Sequence, residues 1–203
     1  MRRMSRFILV SLAALLISAC GSGRPIHYFT MELPPAPAPS PGVYPVTVLL
    51  GRIDAPEILM DEPIVYRSGP NEIGTYAYHQ WVEPPAQMVR DMLIRLLRES
   101  GKYRAVDRLG SSVQGNYVLH GRLYNFEEVD TGNITALVSI EMELFDRRSR
   151  KTVWSYSYTH STAVQGKEIP DVVSALNRNI DQGLSEIASG LSAYFSASLH
   201  GKS

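Results

Sequence analysis

The chain has 203 residues, with 20 basic and 20 acidic side chains and a single cysteine. That length fits one domain with a real core. Formal neutrality, with no Lys/Arg-rich stripe, excludes a phosphate-binding surface, so nucleic acid is not an expected partner. One cysteine excludes a disulfide framework.

The N-terminus reads as a leader. Arg2, Arg3 and Arg6 precede an apolar run from Phe7 to Ile17, then Ser18, Ala19 and Cys20. A cationic start, an apolar stretch and small residues at the cut are the layout of a secretory signal. The run is too short to span a bilayer, which needs about 20 residues. "ISAC" resembles the bacterial lipobox, in which the Cys thiol takes a diacylglycerol and cleavage frees an amine for further acylation. Residues 1–19 are therefore expected to be a lipoprotein signal peptide and Cys20 the lipidated residue. One acyl chain binds a membrane only marginally, whereas two or three anchor stably. Gly21, where an Asp would favour retention at the inner membrane, points to the outer membrane, with the domain facing the periplasm of a Gram-negative bacterium.

Removal of the leader leaves 184 residues, 20–203, with 17 basic and 20 acidic side chains and a net charge of −3. Residues 26–31 read as a strand. "PPAPAPSPGVYP" (34–45) favours polyproline II, a semi-rigid spacer within the domain. "VTVLLGRI" (46–53) reads as a buried strand. Residues 62–82 read as strand, turn, strand, with Ser68–Asn71 at the turn. Over 83–101, Pro84 and Pro85 suit a helix start. Met88/Val89, Met92/Leu93 and Leu96/Leu97 recur at helical spacing, and Gly101 suits the position after the end.

Residues 103–108 read as a short strand. Segments 116–129, 133–148 and 151–164 alternate with period two, as in an antiparallel meander. Residues 170–199 close the chain as a helix, with Pro170 at its first position. Its apolar stripe runs through Val173, Leu176, Ile180, Leu184, Ile187, Leu191 and Tyr194. Gly183 and Gly190 mark close packing on it. Together these elements predict a single α+β domain: a mixed, mostly antiparallel sheet packed by two main helices.

The motifs of catalysis are absent. The sequence has no phosphate-cradling loop and no nucleophile elbow. His27, His79, His120, His160 and His200 lack metal-ligand spacing. No enzyme activity, cofactor or metal is expected. Glu127, Glu128 and Asp130 read as a solvated strand end, and "DRRSR" (146–150) as a solvated hairpin tip. "YAYHQWVEPP" (76–85) supplies candidate partner-interface residues, Tyr78, Trp81 and Glu83, because aromatics concentrate at interface hot spots. Trp81 fits a core position as well.

In order and spacing these residues resemble the ABC-type transport auxiliary lipoproteins, the PqiC-like group. The features are Cys20 before Ile26, Tyr28 and Phe29; "VTVLLGRIDAPEIL" leading to "DEPIVYR"; "WVEPP" before the first helix; "YVLHGRLYNFEE"; and a long closing helix. Pro85 departs from the apolar residue expected there. The resemblance implies a non-catalytic adaptor at the outer membrane. It would serve an ABC transport system that moves lipid between membranes and would dock an MCE-domain protein. A homo-oligomeric ring is compatible with that role. Two other readings stay open: a lipid-carrying module with an apolar cavity, and a regulator of an envelope enzyme such as a cell-wall synthase.

Overall fold

The computed structural model describes residues 24–32 and 44–200. The leader, Cys20, most of the proline-rich segment and the last three residues lie outside the described residues. Eight strands and two helices follow in chain order: β1 (His27–Phe29), β2 (Tyr44–Asp54), β3 (Pro63–Gly69), β4 (Glu72–Trp81), α1 (Pro85–Glu99), β5 (Tyr103–Arg108), β6 (Tyr117–Asp130), β7 (Ile134–Asp146), β8 (Lys151–Ala163) and α2 (Ile169–His200). A single turn of 3-10 helix, Glu57–Leu59, joins β2 to β3.

All strands belong to one mixed sheet, organised around β6. On one side β6 pairs antiparallel with β7 along its whole length, and β7 pairs antiparallel with β8. This is the expected meander. On its other side β6 serves two neighbours. Its first half pairs parallel with β2 (Leu50↔Leu119) and its end pairs parallel with β3 (Tyr66↔Glu128). The sheet therefore forks, with one branch β2–β5 and the other β3–β4–β1. Four of the seven strand pairs are parallel, while the long ladders are antiparallel.

Both helices pack on one face of this sheet. α1 begins as its prolines dictate, with Pro84 at the cap and Pro85 at the first position, whose missing N–H costs nothing. It buries Met88, Val89, Met92, Leu93 and Leu97. Gly101 follows at φ +63°, where a side chain would be strained. α2 starts one residue earlier than expected, at Ile169, and Asp171 Oδ2 accepts the Glu168 N–H at 3.2 Å. The buried stripe of α2 keeps the five central residues expected of it, Leu176, Ile180, Leu184, Ile187 and Leu191, and differs only at its two ends. Val172 and Phe195 are fully buried in place of Val173 and Tyr194, which are half-buried. Phe195 sits among Tyr44, Tyr103, Tyr117 and Tyr194, within 5.0–5.8 Å of each ring.

The opposite face of the meander is polar. Ser155, Ser157, Thr159 and Ser161 of β8 are exposed there, and Ser139 bonds Thr159 across the strands at 2.7 Å.

Candidate functional site

A register irregularity lies between Leu123 and Asn125 of β6. The extra residue shifts which side chains face the helices. Leu119 and Leu123 point into the core before it, and Phe126 does so after it. Glu128, two residues beyond Phe126, is consequently carried to the helix side. Glu127 and Glu128 are both buried, which corrects the expectation of a solvated strand end; Asp130 alone is exposed. The two acids take opposite faces. Glu127 accepts from Arg67 Nε at 2.9 Å and from Asn125 Nδ2 at 3.0 Å. Glu128 accepts from the Tyr76 hydroxyl at 2.9 Å. Burial raises the Glu128 carboxyl above the usual range, the Tyr76 bond opposing it. Burial and the Glu128 contact in turn push the Tyr76 hydroxyl strongly upward.

The three candidate interface residues separate. Trp81 is 1 % exposed, stacked edge-on against Phe126 at 5.5 Å, with its indole N–H lacking a partner. It is a core residue and presents nothing to a partner. The side chain follows the sheet: Phe29↔Trp81 is the last register pair of β1 with β4, facing the helices. Tyr78 and Glu83 stay at the surface. The Arg24 guanidinium lies 5.8 Å over the Tyr78 ring, and Glu83 accepts from Gln87 at 3.1 Å. Cys20 lies outside the described residues.

Sequence reasoning passed over the company Tyr78 keeps. Ile26, Tyr28 and Val82 are exposed beside it at the β1 edge, the last strand of its branch among the described residues. The signal was available as three apolar residues at even positions flanking a strand that alternates.

The histidines are dispersed. His27 and His79 stack at 5.5 Å across β1 and β4. His120 approaches Glu143 at 3.9 Å on the polar face. Among the described residues no group of three or more His, Cys, Asp or Glu is placed to hold a metal. An open cleft of about 600 Å³ lies between the β7–β8 turn and the start of β2, rimmed by Gln114, Asn116, Asp146, Arg147 and Arg148. Its charged rim and open mouth do not make the apolar enclosure an acyl chain needs. Among the described residues no helix is long and apolar enough to cross a membrane.

Comparison with known proteins places this architecture. No curated protein matches the chain. The solved structure of XCC0632 from Xanthomonas campestris is similar, at 20% identity and a TM-score of 0.75 over 87% of this chain and 99% of that one. An uncharacterized protein is similar at 14% identity and a TM-score of 0.67, over 83% and 99%. The hypothetical protein CT253 from Chlamydia trachomatis shares 10% identity at a TM-score of 0.52, over 75% and 99%. These likenesses establish the fold. Residues 29–188 match the family described as ABC-type transport auxiliary lipoprotein component. That span takes in β2 to β8, α1 and most of α2, and the chain belongs to this family of ABC-type transport auxiliary lipoproteins.

Proposed function

We propose that this protein is a lipid-anchored periplasmic adaptor of an ABC transport system that moves lipid between the inner and outer membranes. Cys20 carries the acyl chains, Gly21 directs the lipoprotein to the outer membrane, and the folded domain docks an MCE-domain protein of the transport assembly. The domain acts by binding and carries no reaction of its own. Family membership over residues 29–188 is the observation that carries this reading. The lipobox at Cys20 supports the anchor.

The physical chemistry is consistent with docking. Two acyl chains or more on one residue provide lasting membrane attachment. The α2 helix and the long β6–β7–β8 meander form a packed platform with one polar, helix-free face.

The test is affinity purification of the tagged full-length protein from crosslinked envelopes, with mass spectrometry of what is recovered. Recovery of an MCE-domain protein, together with an acylated N-terminal Cys20 in the outer-membrane fraction, is the expected result. Cys20→Ser should release the domain from that fraction. Recovery of cell-wall synthases with no MCE-domain protein would overturn the adaptor in favour of a regulator of an envelope enzyme.

A further inference from the structure

Eight large apolar side chains are exposed among the described residues, and four of them meet at one place. They are Ile26 (44%), Tyr28 (62%), Tyr78 (40%) and Val82 (52%). The register explains the gathering. β1 pairs parallel with β4 as His27↔His79, Tyr28↔Gln80 and Phe29↔Trp81. The Val82 N–H extends this ladder by donating to the Phe29 carbonyl at 2.8 Å. His27, Phe29, His79 and Trp81 therefore share the inner face. Ile26, Tyr28 and Val82 fall on the outer face by alternation. Tyr78 joins them, with the Arg24 guanidinium over its ring.

The chain itself says what covers this patch. β1 is the edge of its branch, so no strand lies beyond it among the described residues. Only residues 21–23 separate Cys20 from Arg24. Fully extended, that connection spans about 14 Å at most. An acylated Cys20 thus holds Arg24, and through it Tyr78, close to the headgroups whatever path the tether takes. The residue types suit that depth. Tyrosine places an apolar ring and a polar hydroxyl across the interface between lipid and water. Arginine keeps its charge in the headgroups while its stem lies on apolar surface. Elsewhere on the helix-free surface, β8 presents serines and a threonine.

We infer that the β1–β4 edge, built from Arg24, Ile26, Tyr28, Tyr78 and Val82, is a membrane-facing surface that rests in the headgroup region of the bilayer holding the lipid anchor. This inference relies on the acylation of Cys20 proposed above and adds an orientation to it. The sheet edge at β1 faces the lipid, and the β8 side is turned to the periplasm. Partner docking then belongs to the part of the domain remote from Tyr78. Glu62 and Glu83 flank the patch and Arg24 is its one cation, so the contact is apolar rather than electrostatic and should be insensitive to salt.

The experiment uses the full lipoprotein in vesicles of phosphatidylethanolamine and phosphatidylglycerol. Once Cys20 is acylated, a cysteine introduced as Tyr78→Cys or, separately, Tyr28→Cys is the one free thiol for a nitroxide label. Ser157→Cys on β8 is the control. Labels at 78 and 28 should be severalfold less accessible to a water-soluble nickel chelate than the label at 157. They should be more accessible to oxygen, at low and high salt alike. Mass spectrometry of residue 20 comes first. An unmodified Cys20 overturns both the anchor and this inference. An acylated, vesicle-bound protein whose labels at 78 and 28 are as water-exposed as the label at 157 overturns the inference alone. Dipolar broadening between labels at 78 on different molecules would assign the patch to a second copy and overturn it as well.

Discussion

The Tyr158 hydroxyl meets Asn179 Oδ1 at 2.7 Å, in the layer where α2 lies on β8. The same hydroxyl is 3.0 Å from the Asn179 carbonyl oxygen. Asn179 Nδ2 in turn donates to the carbonyls of Ala136 on β7 and His160 on β8, at 3.0 and 2.8 Å. One buried amide thus joins the helix to two strands. Burial, with the charge of Glu186 and the neighbouring Tyr156, pushes the Tyr158 hydroxyl up to about 12. Asn179→Ala takes the amide donor from two strand carbonyls and leaves the Tyr158 hydroxyl only the backbone carbonyl of residue 179, a cost of about 2–4 kcal/mol from orphaned buried polar groups. Tyr158→Phe removes the hydroxyl along with its need for a partner and should cost about 1 kcal/mol. Urea unfolding of both variants and of the double variant checks this. The double variant should be more stable than the sum of the singles implies. Strict additivity would mean that the bond carries no coupling.

The glycines of α2 let the helix come this close. A methyl group on Gly183 would lie 2.8 Å from the Tyr158 ring, and the ring is held from its far end by Asn179. Gly183→Ala gains about 1 kcal/mol of helix propensity. Forcing an atom into a packed contact costs about 1–3 kcal/mol. The clash should win, and thermal unfolding should show a lower Tm. Gly190→Ala meets only the edge of the half-buried Trp154 ring at 3.0 Å and should be milder. A Tm raised by Gly183→Ala would show that Tyr158 is free to move aside.

The elements of this fold are written locally, and its connections are not. Period-two alternation marks β6, β7 and β8, and Pro84, Pro85 and Gly101 bracket α1, because these signals act within a few residues. Alternation says nothing about neighbours, so the fork at β6 is invisible in it. The bulge between Leu123 and Asn125 reverses the alternation midway and turns Glu128 to the helix side against its hydropathy, while Glu127 is buried on the other face by Arg67 and Asn125. The ends of the α2 stripe are open in the sequence for a plain reason. Val172/Val173 and Tyr194/Phe195 are adjacent apolar pairs, and apolar spacing alone does not say which member of each pair is buried. At the candidate interface, Tyr78 and Trp81 look equivalent as sequence. The pairing of Trp81 with Phe29 puts it on the inner face.

Arg67 is the counter-ion that allows Glu127 to be buried. Its guanidinium reaches both carboxylate oxygens, Nε to Oε1 at 2.9 Å and Nη2 to Oε2 at 3.4 Å. Arg67→Met strands a charge in a site that water barely reaches, and breaking such a pair costs about 3–5 kcal/mol. Replacing both partners removes the charge as well as its counter-ion. Arg67→Met with Glu127→Leu should therefore recover most of the loss in a urea titration. A double variant as unstable as Arg67→Met would show that Glu127 is needed for the β3–β6 pairing itself.

The pH dependence of stability should carry the mark of Asp181. Its Oδ2 accepts from Asn177 at 3.3 Å, while Oδ1 is buried without a partner. Burial, reinforced by the negative charge of Glu32, raises its carboxyl to about 6. The unfolded chain releases this proton near pH 3.9. Between those values the folded state binds more protons than the unfolded one, so stability falls as pH rises. The favourable contribution is complete below about pH 4 and is lost once pH passes the folded value near 6. Asp181→Asn removes the titration and keeps the shape. The variant should gain on the wild type as pH rises from 4 to 7.5, read as the difference in urea midpoint at each pH. Glu128, also raised by burial, titrates in the same direction in both proteins and cancels in that difference. A difference that stays constant across the range would place the Asp181 carboxylate in contact with water.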